Sequence, residues 1–369
     1  GFDAVENFDY VLKMGEIFEQ VWSFYIDTIG FDPPPVSDNG KYEINIENLS
    51  SIYFGITFKY GFGSSCNSYI KMRNTYDLSQ FSTNSEEENI KVTAVHEFFH
   101  AIQFDYNCYM IDQSLWFMEA TAVWSEDELY NNINDHYRYI PSWFSSPDKA
   151  IYNETIHMYG SFIYFQYLDE HLGGKETIRT CWEKARDLAA SGQDITFQAI
   201  DQALSSYGSS FEDAYHRMRI ANRILSNADN AGIYSYKESA GYRSVTPPPP
   251  EEYVIFHQGN VETINNQRIE LYQSKYFSLE TISPVKIEIE NIVGDHSLHA
   301  IMKYENVDDW FIKEGSQINI DPELSLDWVS LLVSAINRDN LDWQYNLRIS
   351  DGYSEDFTSF SPYPNPSYG

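Results

Sequence analysis

His96-Glu97-Phe98-Phe99-His100, followed by Glu119 within Trp116-Phe117-Met118-Glu119-Ala120, is the part of this chain that decides its architecture. Positions i and i+4 of a helix lie one above the other, so His96 and His100 can present two imidazoles to one point. Glu97 sits one position round, within reach of a water at that point but badly placed to become a further protein ligand. A water that is to attack a carbonyl needs a base, and a neighbouring carboxylate supplies one. The third ligand is then expected from a second helix packed on the first, and Glu119 is the donor on offer. The set reads as a Zn2+ hydrolase site with two His, one Glu and an open fourth position.

The surroundings sharpen that reading. Ala94, Val95, Phe98, Phe99, Ala101, Ile102 and Phe104 make the first helix strongly apolar. A buried helix has little reason to carry two His and a Glu unless something satisfies them. The competing reading, core histidines bonded to neighbours or an exposed polar stripe, leaves Glu119 on its aromatic helix unexplained.

His-Glu-x-x-His, eighteen residues, then Glu within Trp-x-x-Glu-x-x-Ala resembles the gluzincin branch of zinc metallopeptidases. The stretches HEFFHAIQFDY (96–106), WFMEATAVWSEDELY (116–130) and HMYGSFIYFQYLDEHLGG (157–174) are similar to a family of secreted bacterial metalloproteases. The likeness runs from about Phe8 to Leu225. It implies His96, His100 and Glu119 as zinc ligands and Glu97 as general base and proton shuttle. It also implies an oxyanion donor from the helical lobe, for which His157-Met158-Tyr159-Gly160 is the candidate segment, Tyr159 ahead of His157. Asp105 or Glu126 is expected to orient a ligating imidazole. Two departures stand out. Thermolysin-like enzymes carry an Asp four residues after the Glu ligand, where this chain has Val123. The Gly-x-Met-Glu-Asn segment of aminopeptidases is absent, which favours an endopeptidase.

The implied fold class is α+β: a two-lobed zincin-like metalloprotease, with a small sheet and zinc helix and then a helical lobe, followed by an all-β sandwich. Residues 4 to 27 carry apolar positions at helical spacing. Lys41 to Leu49, Ile52 to Tyr60 and Ser68 to Asn74 alternate like strands. Ser68-Tyr69-Ile70-Lys71-Met72 is the candidate edge strand for pairing with an extended substrate. Helices are expected near 155–172, 175–189, 194–205 and 209–225. Thr246-Pro247-Pro248-Pro249-Pro250-Glu251-Glu252 cannot sit in a helix or central strand and marks a linker. The expected domains are 1–246 (protease), 251–352 (an immunoglobulin- or fibronectin-like sandwich of about seven strands) and 353–369 (a Pro-rich tail). His296 and His299 read as surface residues of that sandwich. Tyr363-Pro364-Asn365-Pro366 looks like the opening of a type IX secretion sorting domain.

Composition sets the outer limits. The chain has 55 acidic against 24 basic residues, a formal charge of −31. Such a surface repels nucleic acid and anionic membranes and keeps a protein soluble and monomeric. No run of eighteen apolar residues exists, so no membrane span is expected. Of Cys66, Cys108 and Cys181 at most one pair can bond, and the sequence does not choose which. Gly1 follows no charged-then-apolar leader, so any signal peptide or pro-segment is expected to have been removed or left out. The expected partner is a protein or peptide substrate, and the expected location is secreted or cell-surface. Two other functions fit the same residues: a zinc hydrolase of a non-protein substrate, and a cell-surface binding or adhesion protein with a vestigial protease lobe.

Overall fold

The computed structural model describes residues 5, 8–61, 63–77, 81, 83–190, 192–225, 229–305, 307–322, 326–338 and 342–353, and every count below refers to these. In chain order they form α1 (Phe8–Trp22), β1 (Ile44–Glu47), β2 (Gly55–Tyr60), β3 (Asn67–Arg73), α2 (Glu86–Tyr106), α3 (Met110–Gln113) and α4 (Leu115–Tyr130). Next come α5 (Ile140–Phe144), α6 (Ile156–Gly160), α7 (Phe162–His171), α8 (Lys175–Asp187), α9 (Thr196–Leu204), α10 (Phe211–Ile224) and α11 (Ser239–Val245). Then follow β4 (Glu252–Ile255), β5 (Glu262–Arg268), β6 (Ser274–Glu280), β7 (Val285–Val293), β8 (Asp295–Tyr304), β9 (Trp310–Glu314), β10 (Gln317–Ile320), β11 (Leu326–Ile336) and β12 (Gln344–Asp351). The chain is thus α+β, helical in its first part and β-rich in its last. It divides into two compact units, Gly1–Tyr139 with Glu154–Ala214, and Ile140–Asn153 with Tyr215–Gly369.

The first unit is built around α2. Ser85 and Glu88 form a reciprocal cap at its start, and Glu86, Glu87 and Glu88 place acidic groups where the helix dipole favours them. From Ile90 onward most side chains are buried on every side. A helix that is apolar all round belongs in a core, and α2 packs against α1, α4, β2 and β3. The region expected as one helix over 155–172 is two, α6 and α7, broken at Ser161.

The small sheet has the order β1-β3-β2, with β3 parallel to β1 and antiparallel to β2. The candidate edge strand is therefore corrected: Ser68–Met72 belongs to the central strand, and Ser68, Ile70 and Met72 are buried. The edge beside α2 is β2. Buried Arg73 shapes the approach to it, donating to the carbonyls of Leu49, Ser50 and Tyr53 at 3.0, 2.8 and 2.9 Å. Cys66 and Cys108 form a disulfide that ties the start of β3 to the chain leaving α2, while Cys181 is a buried thiol.

In the second unit, nine strands form two sheets of order β10-β7-β12-β5 and β4-β6-β11-β8-β9. All pairings are antiparallel except β4 with β6. Phe277, Leu298, Met302 and Leu331 of one sheet share a core with Ile287, Ile318, Tyr345 and Leu347 of the other. The unit also recruits residues from ahead of the proline run. Tyr215 donates its hydroxyl to Tyr272 O at 2.6 Å, Tyr276 does the same to Arg219 O at 2.7 Å, and the Arg219 guanidinium lies over Trp143 at 4.5 Å. The division by contact therefore falls at Tyr215, not at the expected Thr246–Glu252.

The reading of His296 and His299 as surface residues is also corrected, for both are buried. Three positions apart on β8, they point to opposite faces. His296 packs on Tyr345 in the core, and His299 packs on His216 of α10. The expected Pro-rich tail lies outside the described residues from 354 on.

Candidate metal centre

α2 and α4 pack so that three ligand atoms converge. His96 Nε2 lies 3.1 Å from His100 Nε2 and 3.2 Å from Glu119 Oε2, and His100 Nε2 lies 3.6 Å from the same oxygen. A tetrahedral metal with bonds of about 2.0–2.1 Å holds its ligand atoms about 3.3 Å apart. The three residues therefore fit such an ion as they stand.

The outward nitrogens of the imidazoles explain the aim of the inward ones. His96 Nδ1 meets Glu126 Oε1 at 2.7 Å, and His100 Nδ1 meets Gln103 Oε1 at 2.7 Å. Gln103 is held by its own amide, which donates to Met118 O at 2.9 Å and Thr121 Oγ1 at 3.0 Å. Its carbonyl must therefore accept, which puts a proton on Nδ1 of His100. Glu126 does the same for His96. Two lone pairs and a carboxylate are left facing one point, an arrangement that calls for a positive charge.

The titration of the groups follows that demand. Burial opposes a cation on His96, but Glu119 and Glu126 outweigh it and hold its pKa well above the ordinary imidazole value. Burial pushes Glu119 up, yet His100 and His96 bring it below the usual carboxylate range. Glu126 is raised, chiefly by burial.

Glu97 lies beside this point, nearly buried and gripped from β2. The single Thr57 hydroxyl sits 2.7 Å from both Glu97 Oε2 and Glu97 O, and donates to one at a time. β2 comes this near α2 only because Gly55 lacks a side chain. A Cβ there would meet Thr93 Cγ2 at 2.7 Å and Glu97 Cγ at 2.8 Å.

Two cavities meet at His96, Glu97, Gly55 and Tyr159. One of about 480 Å³ is also lined by Val92, Thr93, Arg138 and Tyr139. The other, about 230 Å³, extends past His100 to Phe104, Ile111 and Met118. Tyr159 lines both and stacks on Tyr139, ring centroids 5.0 Å apart. Burial, then the charges of Glu119 and Glu97, raises its phenol pKa.

His96, Glu97, His100, Glu119 and Tyr159 are thus brought together, and Glu126 joins them. His157 is not among them. It is fully buried and lines neither cavity, because residues two apart on a helix point about 200° from one another. Asp105 also falls elsewhere, accepting from Ser65 Oγ at 2.9 Å. Val123 is buried, and Glu126, one turn further along α4, reaches the imidazole instead. Gln103 was missed, although its i+3 spacing from His100 is a local signal that could have found it. Thr57 and Arg138 were missed because only tertiary pairing brings them here.

Residues 6–222 match the model of a "Family of unknown function (DUF6055)", more than half of the chain. The chain belongs to this family. The matched region takes in every residue of the centre, while the nine strands of the second unit lie beyond it. No curated protein matches the sequence. Two solved structures show a distant likeness. One is PliG of Salmonella Typhimurium, a periplasmic inhibitor of g-type lysozyme, 13% identical over 27% of this chain and 97% of that one, with a TM-score of 0.19. The other is a mutant of the Escherichia coli PliG, 16% identical over 27% and 98%, with the same TM-score. At that score the likeness bears on neither fold nor function.

Proposed function

We propose that this chain is a secreted or cell-surface zinc metallopeptidase of gluzincin type, cleaving within peptides. The observation that carries the proposal is the convergence of His96, His100 and Glu119 at tetrahedral spacing, with Glu97 beside it and both outward imidazole nitrogens engaged. Two imidazoles and a carboxylate form a donor set that suits zinc. Zinc held there would supply Lewis-acid charge, acidifying a water and polarising a carbonyl.

The protein's own groups do the rest. Glu97 takes the proton of the attacking water and later passes it to the leaving amine. Tyr159, which lines both cavities, donates its hydroxyl to the oxygen on which charge develops. Glu126 and Gln103 keep the ligating rings in one tautomer. The unpaired edge of β2 runs along the same cleft and offers backbone donors and acceptors to an extended peptide, a recognition mode that needs no side-chain code.

The Cys66–Cys108 disulfide supports an oxidising location. No described helix is long and apolar enough to cross a membrane. The formal charge of −31 supports a monomer.

The test is metal content and peptide hydrolysis of the purified chain beside Glu97→Gln. One zinc per chain in both proteins is expected, with hydrolysis in the parent alone and lost to a chelator. A chain that takes up no zinc from a buffered supply would end this reading.

A further inference from the structure

Arg138 is the one Lys or Arg among the described residues that line the two cavities. It ends the short turn Asp135–Arg138. Its Nη2 lies 3.0 Å from Asp135 Oδ2 and donates to Tyr139 Oη at 2.6 Å. Asp135 is fixed in turn by Asn84 Nδ2 at 2.8 Å. The guanidinium lies over the rings of Tyr139 at 4.7 Å and Phe54 at 5.1 Å. Both polar contacts use Nη2, and 42% of the side chain stays exposed. Among the described residues, Nε and Nη1 have no hydrogen-bond partner.

The place of this group matters as much as its geometry. The larger cavity is lined by Arg138 together with His96, Glu97, Glu126 and Asp135. The charge of Arg138 is felt by both Tyr159 and Glu126. A guanidinium kept only to neutralise Asp135 has no need to line a cavity of about 480 Å³. A guanidinium brings a full charge and N–H donors, which suit a carboxylate better than any neutral group does. On a chain of charge −31, an acidic peptide is repelled at long range, so selecting one takes a dedicated cation.

We propose that Arg138 is a specificity-determining residue that binds a substrate carboxylate in the cavity it lines with His96 and Glu97. The inference rests on the hydrolase reading above and names its substrate class. The carboxylate is either an Asp or Glu side chain next to the scissile bond or the C-terminus of the peptide.

The experiment compares matched peptides on the zinc-loaded full chain. One arm sets Glu against Gln at each position flanking the cleaved bond, and the other sets a free C-terminus against its amide. The readouts are kcat/KM on the parent and, independently of turnover, affinity of the zinc-loaded Glu97→Gln chain for the same peptides. The carboxylate member of one arm is expected to be preferred by about tenfold to a hundredfold. Arg138→Gln is expected to erase that preference with zinc content unchanged, and Arg138→Lys to restore it only in part. The arm that responds identifies the source of the carboxylate. Equal treatment of every pair by the parent would overturn the proposal while leaving the hydrolase reading intact. A preference seen in binding with no hydrolysis of any peptide would uphold the subsite and count against the peptidase reading.

Discussion

Replacing Tyr159 by Phe removes one hydroxyl and leaves the ring free to stack on Tyr139. If the phenol donates to the developing oxyanion, kcat should fall by about 10²–10³-fold while KM and zinc content hardly move. An unchanged kcat would make Tyr159 a packing residue. The pair Tyr159 and His157 also shows what was legible at this scale. His96, Glu97 and His100 could be read because their spacing on one helix aims them, while Glu119 meets them through the packing of α4 on α2. Tyr159 and His157 could be ranked but not resolved, since that needs the phase of a five-residue helix whose start is set by Thr155. Arg138 was out of reach, because a turn residue has no periodicity to betray which cavity it enters.

At the scale of elements, most helices and strands followed their periodicity, and what failed was pairing. Ser68–Met72 alternates as cleanly as an edge strand would. Its central place comes from β1, which pairs in parallel at Ile44–Glu47 across a long connection that local pattern does not encode. The same non-locality hid the choice of disulfide. Cys66 and Cys108 are 42 residues apart and meet because α2 returns the chain to the start of β3. Closing a loop of that length removes unfolded-state entropy worth about 4 kcal/mol. Cys66→Ser with Cys108→Ser, or reduction of the parent, should therefore lower the Tm of the full chain by roughly 10 °C. A reductant that leaves the Tm unmoved would show that the cross-link contributes little to the fold.

For the whole molecule, the β-rich character of the last part was legible, but its limits were not. Thr246–Glu252 carries the strongest break in composition, yet α10 and residues 140–153 supply packing that the strands need. His216 is the clearest case. It lies against the outer face of β8, with Nε2 2.9 Å from Ser297 Oγ and its ring 4.9 Å from that of His299. Burial, with His299 adding to it, pushes its pKa down to about 3. Unfolded, the same imidazole takes a proton near pH 6.5. Between these values the unfolded chain binds more protons than the folded one, so stability rises with pH through that window. His216 thus leaves stability whole above about pH 6.5 and erodes it progressively as pH falls toward 3. At about 1.4 kcal/mol per pKa unit the loss should reach a few kcal/mol by pH 4. Urea melts of the full chain between pH 7 and pH 4 would read it, set beside His216→Gln, which keeps a partner for Ser297 and cannot titrate. The parent should lose stability more steeply than the variant. Parallel losses would place the acid sensitivity in other groups and make His216 an ordinary core residue.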